Sequence, residues 1–573
     1  MSEIISIIKK SEVSKFSLFY CLTMAIFSSL LAVLPPQFLG FIITTLSGGG
    51  DTVFIGSFMK NIAPSMFKTK YSLAIGGIVA FLIFSFLYSI FRNFFCYFAT
   101  IVSEKIIISI RKKLFSKILK ISFLQYLDKP KGQVIYTVMN DTQRLEYIFS
   151  NPFYTLFSDL FDLVWISIFL ILIDPVIFGM LMITVPVLYI ASIKTAKIQK
   201  KVVEKIQKID ADLTTKIEQT LSGYETIKAF NGEKYEETQF YNKANESFQY
   251  RKKGAKSLSL FFPVEGILRI IGVSIIILYA ITKINYGIMQ IGMIAVLVEY
   301  ANKFYSPIKN ITQYYQTIQA GIVSAKRINE FFNMQEEINT PIEMIDMKQQ
   351  YPKNKMIFNN ISLNINNQNI IDNFSFDCFQ GDLILIKGNS GCGKTSLIRI
   401  LMGFYPIEDK KIYINGRDIN SFDKRTLREK ISYASQHVFL QNDSILNNIT
   451  YPQQQCCSKE NEIVNLLNKL NLSYKDTNEI TGEEGRNLSG GERGRIAFAR
   501  ALMKKADILF LDEITAALDT ENEDLVIEIL KQIKEEGRTI FFISHSNNEK
   551  LLKIADKIIN FQDKFIECQR EAT

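Results

Sequence analysis

The sequence predicts a multi-domain chain: an all-α membrane domain of six spans with long cytoplasmic helical hairpins, then an α/β domain built on a phosphate-binding loop. Three observations carry this. Hydropathy breaks near residue 340, with long apolar runs before it and alternating short strands and amphipathic helices after it. Charge breaks at the same place: residues 1–340 carry 36 Lys and Arg against 24 Asp and Glu, whereas residues 341–573 carry 30 against 33. The third is a GxxxxGK[ST] stretch at 388–396, set between a buried-strand pattern and a helix pattern. The domains are drawn at 1–335, a linker at 336–352, and 353–573.

The chain-wide averages hide this division. Over 573 residues the net charge is +9 and hydrophobic residues make up 48%, ordinary values for a globular protein. They exclude a disordered, collagen-like or disulfide-dense chain. The seven cysteines are odd in number and lack any CxxC spacing; Cys456 and Cys457 are the only close pair. With just His437 and His545 present, a His-rich metal centre is excluded.

A bilayer core about 30 Å thick needs about 20 apolar helical residues. Six runs meet that length: 17–45, 71–98, 152–173, 175–193, 258–282 and 286–307. The first is too long for a signal h-region and lacks a cleavage pattern; the segment before it, with Lys9, Lys10 and Lys15, reads as an interfacial helix. Pro35 and Pro36 should bend or loosen this first span. Residues 100–150 and 194–256 each carry a net +5, which places both loops, with the N-terminus and the second domain, in the cytoplasm. Lys60, Lys68 and Lys70 run against this but are outnumbered. Both loops are helical in periodicity. They read as continuations of the spans, although a basic amphipathic helix also suits a lipid surface.

In the second domain, Gly388, Asn389, Ser390, Gly391, Cys392, Gly393, Lys394, Thr395 and Ser396 form the glycine-rich loop, whose backbone N–H groups wrap phosphates at a helix N-terminus. Lys394 reaches the β- and γ-phosphates of ATP, and Thr395 ligates Mg²⁺. Downstream, Ile508–Leu511 is an apolar strand ending in Asp512 and Glu513. Asp512 suits Mg²⁺; Glu513 suits polarisation of an attacking water.

About twenty residues before that strand stands Asn487-Leu488-Ser489-Gly490-Gly491-Glu492. This resembles the LSGGQ signature of ATP-binding cassette (ABC) proteins, with Glu492 in place of the usual Gln. The resemblance implies further roles. Gln436 is the loop glutamine near Mg²⁺ and the attacking water. Gly482–Gly485 is the short segment typical of exporters. Ala517-Leu518-Asp519 is the loop after the catalytic carboxylate, and His545 is the switch histidine at the γ-phosphate. Ile365 stands where the family usually stacks an aromatic residue on adenine. His437 has no matching role and reads as a surface residue.

The membrane half resembles the exporter branch, through Ile110–Phe115, Gly132 and Asp141, then Glu218 and Ile227–Phe230, then Ser306-Pro307 and Ala325–Ile328. It implies short coupling helices near 133–141 and 218–224. Since the family sandwiches ATP between one cassette's phosphate loop and another's signature, it also implies a dimer, a homodimer or a pairing with a related half-transporter. The ionisable residues Asp159, Asp162, Glu265, Arg269 and Glu299 fall within spans and are candidates for a substrate pocket. Their acidic surplus suits a cationic or peptidic amphiphile. The leading expectation is ATP-driven export of an amphiphile (drug, peptide or lipid) across the cytoplasmic membrane. A lipid flippase or a dedicated peptide exporter is the alternative within the class; an ATP-gated channel or membrane sensor is the alternative outside it. No leader peptidase and no nucleic-acid partner are expected, and an importer is disfavoured.

Overall fold

The computed structural model describes residues 2–48, 69–149, 151–337, 355–365, 368–389, 391–452, 460–516, 518–546, 548–562 and 565–569. The chain divides into two compact units. One is Met1–Ile121 with Leu127–Glu336; the other is Glu337–Thr573 with Ser122–Tyr126. Ser390, Ala517, Cys456, Cys457, Lys60, Lys68 and linker positions 338–352 lie outside the described residues.

The first unit is all-α. A short amphipathic helix, Ser2–Lys10, precedes Lys15–Leu46, whose first turn is capped by the Ser14 hydroxyl accepting from the Phe16 N–H at 3.2 Å. Pro35 and Pro36 sit inside this helix without ending it. The long helices Lys70–Ile118, Pro175–Ser222 and Glu233–Asn285 each run from a predicted span into a predicted cytoplasmic loop. Asp174 caps the third predicted connection, its carboxylate accepting from the Val176 N–H at 2.9 Å with Pro175 at the first helical position.

Among the described residues, five helices are long and apolar enough to cross a membrane. The sixth predicted span begins later than expected. Residues 286–292 form a turn with Gly287 at φ 69°, and the helix is Met293–Phe332, which carries Glu299, Lys303 and Lys309 within its first five turns. Fully buried Tyr300 and Tyr305 anchor it: Tyr300 donates to the Val33 carbonyl at 2.9 Å and accepts from Gln37 at 2.8 Å.

Of the two short helices expected in the hairpins, the first stands where predicted and the second is displaced. Gly223 ends the long helix, so the short helix after it is Tyr224–Ala229 rather than 218–224. In the first hairpin, Lys131–Tyr136 and a π turn at Thr137–Asp141 belong to the helical unit. The segment that groups with the second unit is Ser122–Tyr126, where Phe123 stacks on Phe404 at 4.8 Å between ring centroids.

The second unit holds two sheets. Strands β1 (Lys355–Ile365), β2 (Gln368–Phe379), β4 (Ile412–Ile414) and β5 (Arg417–Asp418) form an antiparallel sheet in the order β2-β1-β4-β5. Strands β3 (Leu383–Gly388), β6 (Ile431–Ala434), β7 (Ile508–Asp512), β8 (Thr539–Ile543), β9 (Lys557–Gln562) and β10 (Phe565–Gln569) form the other, ordered β10-β9-β3-β8-β7-β6. All pairs in it are parallel except β9 with β10. The central strands are apolar on both faces, as sheets covered on both sides require. Leu383, Leu385, Leu509, Leu511, Ile540 and Phe542 face one core; Ile384, Ile386, Ile508, Phe510, Phe541 and Ile543 face the other.

Candidate functional site

In an open parallel sheet, ligands bind beyond the carboxyl ends of the strands. Four adjacent strands deliver the site there. β3 runs into the glycine-rich loop, β8 is followed by Ser544-His545, β7 ends on Asp512-Glu513, and β6 is followed by Ser435-Gln436. Sequence separations of more than a hundred residues collapse because the strand order is β3-β8-β7-β6.

The loop's conformation needs its glycines at two points. Gly388 has φ 146° and packs so closely on the Phe561 carbonyl that a Cβ there would collide with it. Gly393 has φ 104° and is the N-cap of helix Lys394–Leu401, so the first turn of that helix opens toward the phosphate position. Ile370 packs beside Gly393, its Cγ2 3.1 Å from where a Cβ would stand. Ile365 lies at the end of β1, paired with Gln368. Cys392 is a half-buried free thiol packed against the core.

Lys394 is buried, 5% exposed. Its Nζ donates to the Gly388 carbonyl at 2.8 Å and the Asn389 carbonyl at 2.9 Å, and lies 3.4 Å from His545 Nε2. The ammonium is therefore folded onto the loop that a nucleotide would fill. Glu513 receives the Gln436 amide on Oε2 at 2.6 Å, while His545 Nε2 stands 3.0 Å from Oε1. Glu513 is a left-handed residue with φ 52°, a conformation that costs an L-residue about 1–2 kcal/mol. Its own N–H, donating to the Ile543 carbonyl at 3.0 Å, anchors that turn to the neighbouring strand. Lys394, His545, Glu513 and Gln436 thus form one connected polar chain.

Asp512 is 1% exposed. Burial pushes its carboxyl above the usual carboxylate range, and a hydrogen bond with the Thr395 side chain opposes that shift. Tyr433 donates to Oδ2 at 3.4 Å, but Oδ1 is buried with no hydrogen-bond partner among the described residues. A buried, unsatisfied carboxylate oxygen beside a threonine hydroxyl fits a Mg²⁺ ion, which keeps most of its waters and takes few protein ligands.

The signature lies apart from this cluster in hydrogen bonding: among the described residues, no hydrogen bond joins Ser489–Glu492 to the loop at 388–396. Leu488 is buried, whereas Ser489 and Gly490 are exposed. Ser489 caps helix Gly490–Met503 in a reciprocal box. Its Oγ accepts from the Glu492 N–H at 3.2 Å, and Glu492 Oε2 accepts from the Ser489 N–H at 2.7 Å. Burial opposes the Glu492 charge, but hydrogen bonds from Tyr474 and Ser489 and the charge of Lys475 outweigh it and hold its pKa down at about 2. Asp519 caps helix Thr520–Glu535, accepting from the Asn522 N–H at 2.9 Å, which lowers its pKa. His437 is exposed and remote from this network in its bonding, its carbonyl accepting from Ser435 at 2.8 Å.

In the helical unit the candidate pocket residues separate into two groups. Glu265, 5% exposed, pairs with Arg269 at 3.5 Å, and Arg269 also donates to Asn302 at 3.2 Å. Buried Asp159 accepts from Asn310 at 2.7 Å. Asp162 has a buried Oδ1 without a hydrogen-bond partner among the described residues and lies within electrostatic range of Arg92 and Lys303; Glu299 lies near Lys303. Arg92 and Lys303 escaped the sequence reading although both are charged residues in apolar stretches. They reduce the acidic surplus on which a cationic cargo was expected. Tyr433, Tyr474 and Lys475 also escaped it, having no motif to mark them.

The family described as ABC transporter transmembrane region matches residues 18–308, and that described as ABC transporter matches residues 371–516. An ATP-dependent lipid A-core flippase of Syntrophus aciditrophicus (strain SB) is 29% identical over 464 residues, covering 80% of this chain and 76% of that one. Another, of Acinetobacter baylyi (strain ATCC 33305 / BD413 / ADP1), is 26% identical, covering 81% and 80%. The putative ABC transporter ATP-binding protein exp8 of Streptococcus pneumoniae serotype 4 is 26% identical, covering 78% and 76%. A bacterial Atm1-family ABC exporter with ATP bound shares the fold, with a TM-score of 0.79 over 96% of each chain at 20% identity. With a transmembrane region and an ATPase domain of one family joined in a single polypeptide, this chain belongs to the ABC transporters, as an exporter-type half-transporter driven by ATP hydrolysis.

Proposed function

We propose that two copies of this chain form a twelve-span exporter of an amphiphile across the cytoplasmic membrane, with the N-terminus and both ATPase domains in the cytoplasm. The observation that carries the two-copy reading is the divided site. Lys394, Glu513, Gln436 and His545 are joined by hydrogen-bonding contacts, while the signature presents exposed Ser489 and Gly490 with no bond to them. One ATP then needs the loop of one copy and the signature of the other.

In this reading Lys394 leaves its two carbonyl partners for the β- and γ-phosphates. Thr395, Asp512 and Gln436 would hold Mg²⁺, which would supply positive charge to neutralise the phosphates. Glu513 takes the proton of the attacking water, and Gln436 and His545 hold its carboxylate in place. Gly388, Asn389, Gly391, Cys392, Gly393 and Ser396 line the phosphate position. Ile365 and Ile370 offer adenine an apolar contact without a ring to stack on. Leu488, Ser489, Gly490, Gly491, Glu492 and Asp519 complete the site from the second copy.

For the cargo, a lipid is the reading the relatives favour, since several are flippases by name. The mixed-charge set of Asp159, Asp162, Glu299, Arg92 and Lys303, and the separate Glu265–Arg269 pair, suit a zwitterionic head group as well as a cationic one. Reconstitution into liposomes tests this. ATP-dependent, vanadate-sensitive movement of a fluorescent phospholipid or an amphiphilic dye against its gradient is the expected result. Ionic current or leak with no uphill movement would point to a channel and refute export.

A further inference from the structure

The signature helix has a carboxylate where an anion must bind. Glu492 is its third residue, and the N-terminus of that helix carries only about half a positive charge. An uncompensated carboxylate would leave this end of the helix with about half a negative charge, facing a triphosphate. The structure shows compensation. The Tyr474 hydroxyl donates to Glu492 Oε1 at 2.6 Å, and Lys475 Nζ lies 3.6 Å from the same atom. The side chains of Lys475 and Glu492 are only 14% and 12% exposed. Lys475 is held there from its other side by Glu479 at 2.8 Å, and its N–H donates to the carbonyl of buried Leu472 at 3.0 Å. The ammonium, shared with Glu479, offsets part of the Glu492 charge at the helix end.

Helix capping alone does not require this arrangement. The reciprocal box uses Oε2 and the Ser489 hydroxyl, and a glutamine at the third position would complete it equally well. Tyr474 and Lys475 act on the other oxygen, which the cap leaves free.

We propose that Lys475, assisted by Tyr474, is a positioning residue for ATP: it holds the Glu492 carboxylate and offsets its charge, so that the signature helix end repels the γ-phosphate bound by the second copy less. This rests on the two-copy reading. The test is the ATP dependence of hydrolysis by the full chain in nanodiscs. Lys475→Met should raise KM for ATP about fivefold, the scale of losing one half-buried charge partner, with a smaller change in kcat. Lys475→Arg should restore the wild-type KM. In a Glu492→Gln background, which has no carboxylate to neutralise, Lys475→Met should move KM less than twofold. An equal KM shift in both backgrounds, or none in the wild-type background, overturns the proposal. A purely structural staple would lower the melting temperature and leave KM alone. If Lys475→Met does not fold, Lys475→Gln is read in the same two backgrounds. Inter-copy fluorescence energy transfer in Glu513→Gln separates the layers. No ATP-dependent closure there defeats the two-copy reading itself; closure with a KM indifferent to Lys475 defeats only this inference.

Discussion

Replacing Glu513 by Gln separates its proposed role as proton acceptor from the structure that holds it. The carboxylate has one partner on each oxygen, Gln436 on Oε2 at 2.6 Å and His545 on Oε1 at 3.0 Å. A glutamine keeps the length and plane of the side chain. Its carbonyl can still accept from the Gln436 amide, and its NH₂ can donate to His545 in the tautomer with a bare Nε2. The backbone anchor from the Glu513 N–H to Ile543 is untouched. What is lost is basicity, and a positioned general base contributes about 10²–10⁴ in rate, or about 3–5 kcal/mol of barrier. ATPase assays of the purified chain should therefore show kcat reduced by at least about a hundredfold, KM for ATP within a few-fold of wild type, and ATP retained on the protein. Glu513→Asp, one methylene shorter, should also be slow because its carboxylate withdraws from Gln436. A fall in kcat of less than tenfold, or a raised KM with kcat preserved, would show that another group takes the proton and refute the assignment.

Asp512→Asn should lower apparent Mg²⁺ affinity by about tenfold or more, read from Mg²⁺ titration of ATPase activity at fixed ATP, because it removes the charge of the buried oxygen that lacks a partner. Asp141 is fully buried and accepts from Ser324 at 2.8 Å and from Arg327 at 2.6 and 2.9 Å. Asp141→Ala should cost about 3–5 kcal/mol in unfolding measurements, and adding Arg327→Met should recover part of it, since the orphaned cation is then gone. Glu492 should give an acid-dependent term. Its folded pKa of about 2 lies below the ordinary 4.5, so its contribution is complete above pH 4.5 and disappears as pH falls through 2. The stability difference between wild type and Glu492→Gln should be larger at pH 5 than at pH 3 in thermal unfolding.

The fold class was legible because each half announces itself by period. Apolar runs of span length and strands such as Ile508–Leu511 are local signals, and the structure bears out a helical membrane domain followed by an α/β ATPase domain. The members of the candidate site were named by motifs, but what brings them together was not: β6, β7 and β8 carry Gln436, Glu513 and His545 to one place only because parallel order β3-β8-β7-β6 makes them neighbours. Pairing of distant charges left no trace in the sequence at all. Arg92 and Lys303 are far apart along the chain, so their approach to Asp162 depends on how three helices pack. Element ends were missed for a local reason, since short turns decide them: Gly223 shifts the second short helix to Tyr224–Ala229, and the turn at 286–292, with Gly287 at positive φ and Gly292 as N-cap, delays the last long helix to Met293.

The division of the site also explains how nucleotide chemistry can do mechanical work here. A ligand shifts a conformational equilibrium only by its differential affinity for the two states. Were all ATP contacts within one copy, ATP would bind open and closed dimers equally and drive nothing. On the two-copy reading, Lys394 and the loop hold ATP in either state, while Ser489 and Gly490 reach it only on closure; their contacts are therefore the differential term. Moving a population from 1:99 to 99:1 takes about 5.5 kcal/mol, which two sites share at a little under 3 kcal/mol each, within reach of two or three charge-assisted hydrogen bonds per site. Once Glu513 has delivered water to the γ-phosphate and the phosphate has left, that term vanishes and the open state returns. It follows that weakening the signature end, at Ser489 or through Lys475, should impair closure more than nucleotide capture, whereas Lys394→Ala should impair capture itself; ATP binding measured separately from ATP-driven closure distinguishes the two, and equal losses of both from the signature variants would contradict this division of labour.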